Sequence, residues 1–367
     1  MNIRETAFLL ILASGASACS ASVVDLGATF ISTSNEPGVV AVVHERVEKL
    51  IVDDERLYWI GTHVPSVAGN VWLLHSCLKL NCATTLVTYD AQSNDVGRNF
   101  SVSSGQIYWY RSDVGELLSC PIAGCDGAPR SLAPELVHQR TGLTGVMIDQ
   151  AGFDDEYFYY PIGFALLNRL PLLEPGPHQL LAQSLSAIQS IAIQGAYAYW
   201  VAKDQIENKQ QLLRARKGGA SGVETITSDL NVSLYRGFGF TTDESSLYWT
   251  NNTLAGSISR CPLAGCPDDS AVLLSPLRAP QNLLIDGMRL YYEHEVEAYD
   301  YALSSCALPA CVASALLQEH LDAPSVLALD DRYLYVATTE QDISPNNTNE
   351  DTIARIRRLP KLNPESP

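Results

Sequence analysis

The 367-residue sequence is poor in basic residues. Its 24 Lys and Arg stand against 41 Asp and Glu, a formal net charge of −17. A chain of that sign repels nucleic acid, and no basic stripe with interleaved aromatics interrupts it. The same repulsion keeps it off an anionic membrane surface unless a lipid supplies the attraction. Helical periodicity is weak throughout. Residues 180–190 carry some helical spacing, but they fit an outer strand and its connection better. Catalytic signatures are also missing. None of His44, His63, His75, His138, His178, His294 and His320 has zinc-helix spacing, and His294-Glu295 lacks the rest of an HExxH motif. There is no G-x-S-x-G elbow and no phosphate-binding glycine loop, so neither a metal nor a cofactor is expected.

What is present is a repeat. Seven aromatic anchors run along the chain: Tyr58-Trp59, Tyr108-Trp109, Tyr159-Tyr160, Tyr199-Trp200, Tyr248-Trp249, Tyr291-Tyr292 and Tyr335-Val336. Neighbouring anchors lie roughly 40–51 residues apart, the period of propeller blades. A short apolar run ending in an Asp- or Gly-bearing turn precedes each anchor, as in IVDDER before Leu57 and LIDGMR before Leu290. A third run follows each anchor, and a fourth follows a Pro/Gly-rich turn in the first six units. Four short strands per unit make one blade. A lone blade leaves both faces wet, whereas seven in a ring cover each other. The expected fold is an all-β, seven-bladed propeller of four-stranded antiparallel blades, with six blades as the alternative count. The anchor rings are expected to pack between blades. Asp53-Asp54, Asp154-Asp155 and Asp330-Asp331 are read as turn formers in preference to calcium ligands.

Leu247-Tyr248-Trp249-Thr250-Asn251, followed by Ser257–Arg260, resembles the YWTD-type propeller repeat. The likeness covers the repeat cores over residues 38–361. It implies a propeller and carries no catalytic residue with it. No copy has the family's Asp after Thr, and that family usually has six blades. Secreted or surface lipoproteins with degenerate propeller repeats and paired cysteines look similar too.

The last unit stops short: after residues 355–359 the chain gives only PKLNPESP, with no fourth strand. The β-prone run Val39–Val43 lies just before the first unit, where the outer strand of a preceding blade belongs. The N-terminal strand is therefore expected to complete the last blade, which removes open sheet edges.

Nine cysteines are present. Eight form four C-x4-C pairs: Cys77/Cys82, Cys120/Cys125, Cys261/Cys266 and Cys306/Cys311. The other units lack both members of the pair, as bonded partners would. Each pair brackets a turn after the third strand, where opposed residues approach within disulfide range. Four local disulfides, and an oxidising compartment, are expected. The ninth, Cys19, ends Ala16-Ser17-Ala18-Cys19, which resembles a bacterial lipobox. Residues 1–18 read as a signal peptide, too short to span a bilayer, residues 19–37 as a lipid-anchored tether, 38–361 as the propeller and 362–367 as a tail. The expected location is the cell envelope, as an outer-membrane lipoprotein, or the secreted space.

Function is less legible. Connections opening on one face of the ring include residues 61–70, 92–98, 137–145, 203–209, 231–237 and 293–297. His63, Arg98, Arg140, Tyr235, Arg236 and His294 are the candidates for that mouth, because loops on rigid scaffolds carry binding. The expected role is a monomeric binding or scaffold module for an extracytoplasmic protein or glycan. The alternative is a propeller-type lyase or lactone/ester hydrolase with its site in the central channel. Mass spectrometry of the mature N-terminus tests the anchor: the lipobox reading predicts an acylated peptide starting at Cys19, and an unacylated start within residues 20–25 contradicts it.

Overall fold

Strands form where the anchors place them, and consecutive strands pair antiparallel because the turns between them are tight. The computed structural model describes residues 31–32, 36–63, 71–93, 96–111, 115–125, 128–133, 151–162, 165–174, 176–184, 186–203, 209–219, 222–230, 239–243, 245–264, 271–321, 325–341 and 352–362. The strands make seven sheets. Blade 1 runs from its inner strand Arg46–Val52 through Arg56–His63 and Val71–Leu78 to Val87–Ser93. Blades 2 to 6 repeat that order, and their inner strands are Val96–Ser103, Gly152–Phe153, Ala187–Gln194, Phe240–Thr242 and Gln281–Asp286.

Blade 7 is closed from the other end of the chain. Its strands Val326–Leu329, Tyr333–Gln341 and Thr352–Pro360 are followed by Val39–Val43, paired antiparallel to the third strand with Val43 opposite Ala354. The expected closure is present. An unexpected fifth strand, Ile31–Ser32, pairs outside it. Residues 92–98, expected as a connection on the mouth face, are mostly strand: one strand continues to Ser93 and the next begins at Val96.

The two anchor positions explain the ring. Neighbouring residues of a strand point to opposite faces, so the first ring of each pair enters one seam and the second ring enters the other. Tyr58 packs with Trp109 between blades 1 and 2, Tyr108 with Tyr160, Tyr159 with Trp200 and Tyr199 with Trp249. Tyr248 then meets Tyr292, Tyr291 meets Val336, and Tyr335 meets Trp59 across the closure. Each buried ring removes about 150–250 Å² from water. Alternation of two large residues thus supplies all seven interblade cores.

The hydroxyl end of each tyrosine needs a polar partner. In four blades the turn aspartate five residues earlier provides it. Asp53, Asp154, Asp243 and Asp330 accept from Tyr58, Tyr159, Tyr248 and Tyr335 at 2.7–2.9 Å. The other carboxylate oxygen accepts two turn N–H groups in each case, for example those of Glu55 and Arg56 on Asp53. The acidic turns therefore work as turn chemistry, as their sequence implied. Some seams add a cation from the next blade: Lys217 reaches Asp154 at 2.7 Å, Lys361 reaches Asp286 at 2.8 Å, and Lys79 reaches Asp330. Burial alone would raise the Asp330 pKa. The Lys79 ammonium, two backbone N–H groups and the Tyr335 hydroxyl outweigh it and hold the carboxyl at about 2.

Three of the expected disulfides are formed, Cys77–Cys82, Cys120–Cys125 and Cys306–Cys311, with Cα separations of 4.8, 5.4 and 4.9 Å. Cys261 is also disulfide-bonded, and its expected partner Cys266 lies outside the described residues. Cys19 and the signal and tether segments to residue 30 lie outside them too. Each bridge pins a rim hairpin beside a seam, since Cys77 and Cys82 both join the closure core.

Closure by the N-terminal strand gives a direct stability test. Val43 is 0% exposed and sits in that core. Val43→Ala should cost about 1–3 kcal/mol in urea unfolding. Val312→Ala, at a rim position 91% exposed, should change stability by less than about 0.5 kcal/mol. Equal effects would remove Val43 from the closure.

Candidate functional site

Antiparallel blades divide their connections between two faces. Turns from inner to second strand are short, as at Asp53–Glu55 or residues 104–105. Third-to-fourth-strand hairpins of six to eight residues share that face in blades 1 to 6, and the longest connections, residues 134–151, 231–239 and 342–351, separate strands on the opposite face together with 64–70 and 204–209. This loop-rich face holds the expected mouth. His63 ends the second strand of blade 1, paired with Val71, and Arg98 lies in the inner strand of blade 2. The side chains of both, and the whole of Arg140, Tyr235 and Arg236, fall outside the described residues.

His294 is described, and it differs from the expectation. Residues 293–297 are not a loop, because the second strand of blade 6 continues from Arg289 to Glu297. The His294 ring lies 5.7 Å from that of Tyr292, with Nε2 3.3 Å from the Ser304 hydroxyl. Its contacts are to its own blade, and burial lowers its pKa.

Three ionisable groups that the sequence did not single out lie deep near this face. Lys49 lies mid-way along the blade 1 inner strand, immediately before Leu50. Its ammonium donates to the Asn99 side chain and, at 3.0 Å, to the Phe100 carbonyl of the next inner strand. Asn99 holds the equivalent position in blade 2 and donates to the Ala151 carbonyl of blade 3. Asn282, equivalent again in blade 6, donates to the Ser325 carbonyl beside blade 7 at 2.7 Å. One position thus links successive inner strands around the channel. Lys49 is only half-buried as a residue, but its ammonium lies deep, and burial lowers its pKa to about 8.

Glu293 is 0% exposed. One carboxyl oxygen accepts the Ser325 N–H at 2.9 Å and its hydroxyl at 2.7 Å. The other accepts Asn282 at 2.8 Å and Gln281 at 3.3 Å. Burial raises its pKa to about 7 against the downward pull of those four donors. The two Ser325 bonds tie Glu293 to the start of blade 7, and the Asn282 and Gln281 bonds tie it to the inner strand of its own blade 6.

Glu45 stands between the closing strand and blade 1. Its Oε1 accepts the Trp59 indole N–H at 2.5 Å and lies 3.6 Å from His75 Nε2, while His75 Nδ1 meets the Thr88 hydroxyl at 2.9 Å. Gly61 makes room: a Cβ there would lie 2.1 Å from the carboxyl. Burial raises the Glu45 pKa to about 8, despite the Trp59 bond, and lowers His75 to about 3. Burial thus favours the neutral form of both side chains.

No protein-family model matches the chain, and no curated protein matches it. Solved structures are similar in fold. The WD40 β-propeller domain of Doa1 aligns at 10% identity and TM-score 0.53, covering 87% of this chain and 95% of that one. A puromycin-hydrolyzing peptidase of Mycobacterium tuberculosis aligns at 14% and 0.54, and a prolyl endopeptidase at 12% and 0.53. This chain spans about half the length of either peptidase, 53% and 51%. These likenesses show a propeller fold.

The Glu45 site predicts a pH dependence. Its folded pKa lies above the unfolded value, so its contribution to stability falls as pH rises from about 4.5 through about 8. His75 acts the opposite way, and only below about 6.5. Between about pH 6.5 and 8.5, Glu45→Gln should flatten the fall in unfolding free energy by about 2 kcal/mol. A variant with an unchanged slope would mean that the folded carboxyl is ionised at pH 7.

Proposed function

We propose that the protein is an extracytoplasmic binding module, a rigid propeller that presents its loop-rich face to a protein or glycan partner. The observation that carries this reading is the use made of the deep ionisable groups. Glu293 accepts two bonds from Ser325 at the start of blade 7 and two from the inner strand of blade 6, and Lys49 joins blades 1 and 2. Groups engaged in this way stiffen a scaffold and hold its long connections on one side. Three rim disulfides support an oxidising compartment. Cys19 would tether the ring to an envelope membrane through residues 19–37, as the lipobox resemblance implies, and the YWTD-like repeat core agrees with a surface role.

The enzyme alternative draws on one observation, an inner-strand amine with a pKa near neutrality at Lys49. In a lyase or ester hydrolase that amine would have to leave Asn99 and the Phe100 carbonyl to meet a substrate.

The test uses crosslinking of the full chain in its native envelope, followed by mass spectrometry. Replacing residues 64–70, or 137–145, by Gly-Ser linkers of equal length should abolish a specific crosslinked partner. Leu80→Asp, on the short-turn face at 94% exposure, should leave it unchanged. Loss with Leu80→Asp alone would place the binding surface on the other face.

A further inference from the structure

The short-turn face carries a regularity with one exception. Each anchor tyrosine has an arginine beside it, acting electrostatically on its hydroxyl. These are Arg56, Arg130, Arg169, Arg214, Arg260, Arg289 and Arg358 for Tyr58, Tyr108, Tyr159, Tyr199, Tyr248, Tyr291 and Tyr335. In blades 3, 4, 5 and 7 the arginine is the third-strand residue directly opposite the tyrosine. In blades 1 and 6 it is the second-strand residue two before the tyrosine, and the opposite position is a serine that accepts from it: Arg56 to Ser76, Arg289 to Ser305. Either way a guanidinium from the second or third strand stands near the tyrosine hydroxyl, although in blade 6 a cavity of about 300 Å³ still opens beside Arg289.

Blade 2 has neither. The two positions are Gln106 and Ser119, and a cavity of about 410 Å³ opens there, lined by Gln106, Tyr108, Ser119, Arg130, Leu172 and Leu173 among others. Its guanidinium comes instead from the outer strand, where Arg130 pairs with Ser119. In blades 3 and 4 that outer position accepts from the third-strand arginine: Gln179 from Arg169, and Glu224 from Arg214 at 2.7 Å. The polarity of the row is therefore reversed in blade 2. The turn residue is also changed, since Ser103 stands where four blades have the tyrosine-bound aspartate. Blade 4 also lacks that aspartate, with Gln194 in its place, but Glu224 neutralises its arginine. In blade 2 no described residue pairs with Arg130, which is exposed, and no described residue bonds the Tyr108 hydroxyl.

We propose that this cavity between blades 2 and 3 is a binding site for an organic carboxylate carried on a short branched apolar body. Arg130 takes the carboxylate by its forked N–H groups, which suit that planar anion better than a point charge does. The Tyr108 and Ser119 hydroxyls and the Gln106 amide lie on the same wall to share it. Leu172 and Leu173, from blade 3, line the same cavity and take the apolar part; Leu173 is 60% exposed. The volume suits a small molecule or the last residue of a peptide. The site lies on the face opposite the loop-rich mouth, so it stands or falls independently of the proposed partner surface.

Ligand-observed NMR with the folded full-length protein tests it. The probes are 4-methylpentanoate, the neutral 4-methylpentanamide, and an N-acetylated tripeptide ending in leucine with a free carboxylate. At least one carboxylate should bind in the millimolar range or tighter; which of them does separates a free acid from a chain terminus. Arg130→Gln should weaken that binding about tenfold, as expected for loss of one charge-assisted contact. Ser119→Arg should abolish it by restoring the guanidinium that blades 3, 4, 5 and 7 place there. Both variants should keep the wild-type circular dichroism, and Arg130→Gln, at an exposed site, keeps the test open if Ser119→Arg misfolds. No carboxylate binding up to about 10 mM, equal binding of the amide, or binding unchanged in Arg130→Gln would overturn the proposal.

Discussion

The structure depends on the alternation of two large side chains across one strand. A blade is a sheet with two apolar faces, and neither can be left in water. The tyrosine at the first anchor position covers one face and the following residue, a tryptophan or tyrosine in six blades and Val336 in blade 7, covers the other, so each blade needs a neighbour on both sides. Burial of such rings is non-directional and scales with area. What makes it a ring is that every blade presents an apolar pair led by tyrosine at the same position of its second strand. An open stack would leave Trp59 and Tyr335 without each other, and closure brings them into one core.

Polar chemistry then follows from where the rings end. A tyrosine buried in a seam carries its hydroxyl to the short-turn face, where a guanidinium stands near it and in four blades a turn aspartate accepts from it. The same groups organise the turn and, through Lys79, Lys217 and Lys361, tie blade to blade. On the channel side a parallel solution links inner strands through Lys49, Asn99 and Asn282. Most charged groups near the core therefore have structural employment. Among the described residues none forms an ion pair with Arg130, which borders a cavity.

Much of this was legible in the sequence. Strand order, ring closure and the cysteine pairs followed from a period and from an all-or-none pattern, because repeats make each unit a control for the others. Turn aspartates were readable for the same reason. Glu45, Lys49 and Glu293 were not. Each looks like an ordinary charged residue beside a strand, and its burial comes from a neighbouring blade that local sequence does not show. Residues 293–297 misled because Glu-His-Glu reads as a solvated loop, whereas the strand continues and closes Glu293 among Gln281, Asn282 and Ser325. The arginine row was visible in principle: Ser76, Ser119, Arg169, Arg214, Arg260, Ser305 and Arg358 occupy one register position. Its meaning needed the cross-strand pairing.

The central claim is that the strand Val39–Val43 locks the ring and shares its cooperative stability. Native-state hydrogen exchange measures this directly. The account predicts that the ladder amides of Val39–Val43 and of Ala354 and Ile356 open with the same free energy as those of Tyr58 and Trp109, near the global unfolding value. Exchange of Val39–Val43 several kcal/mol more easily than the blade cores, with the rest of the ring still protected, would contradict it.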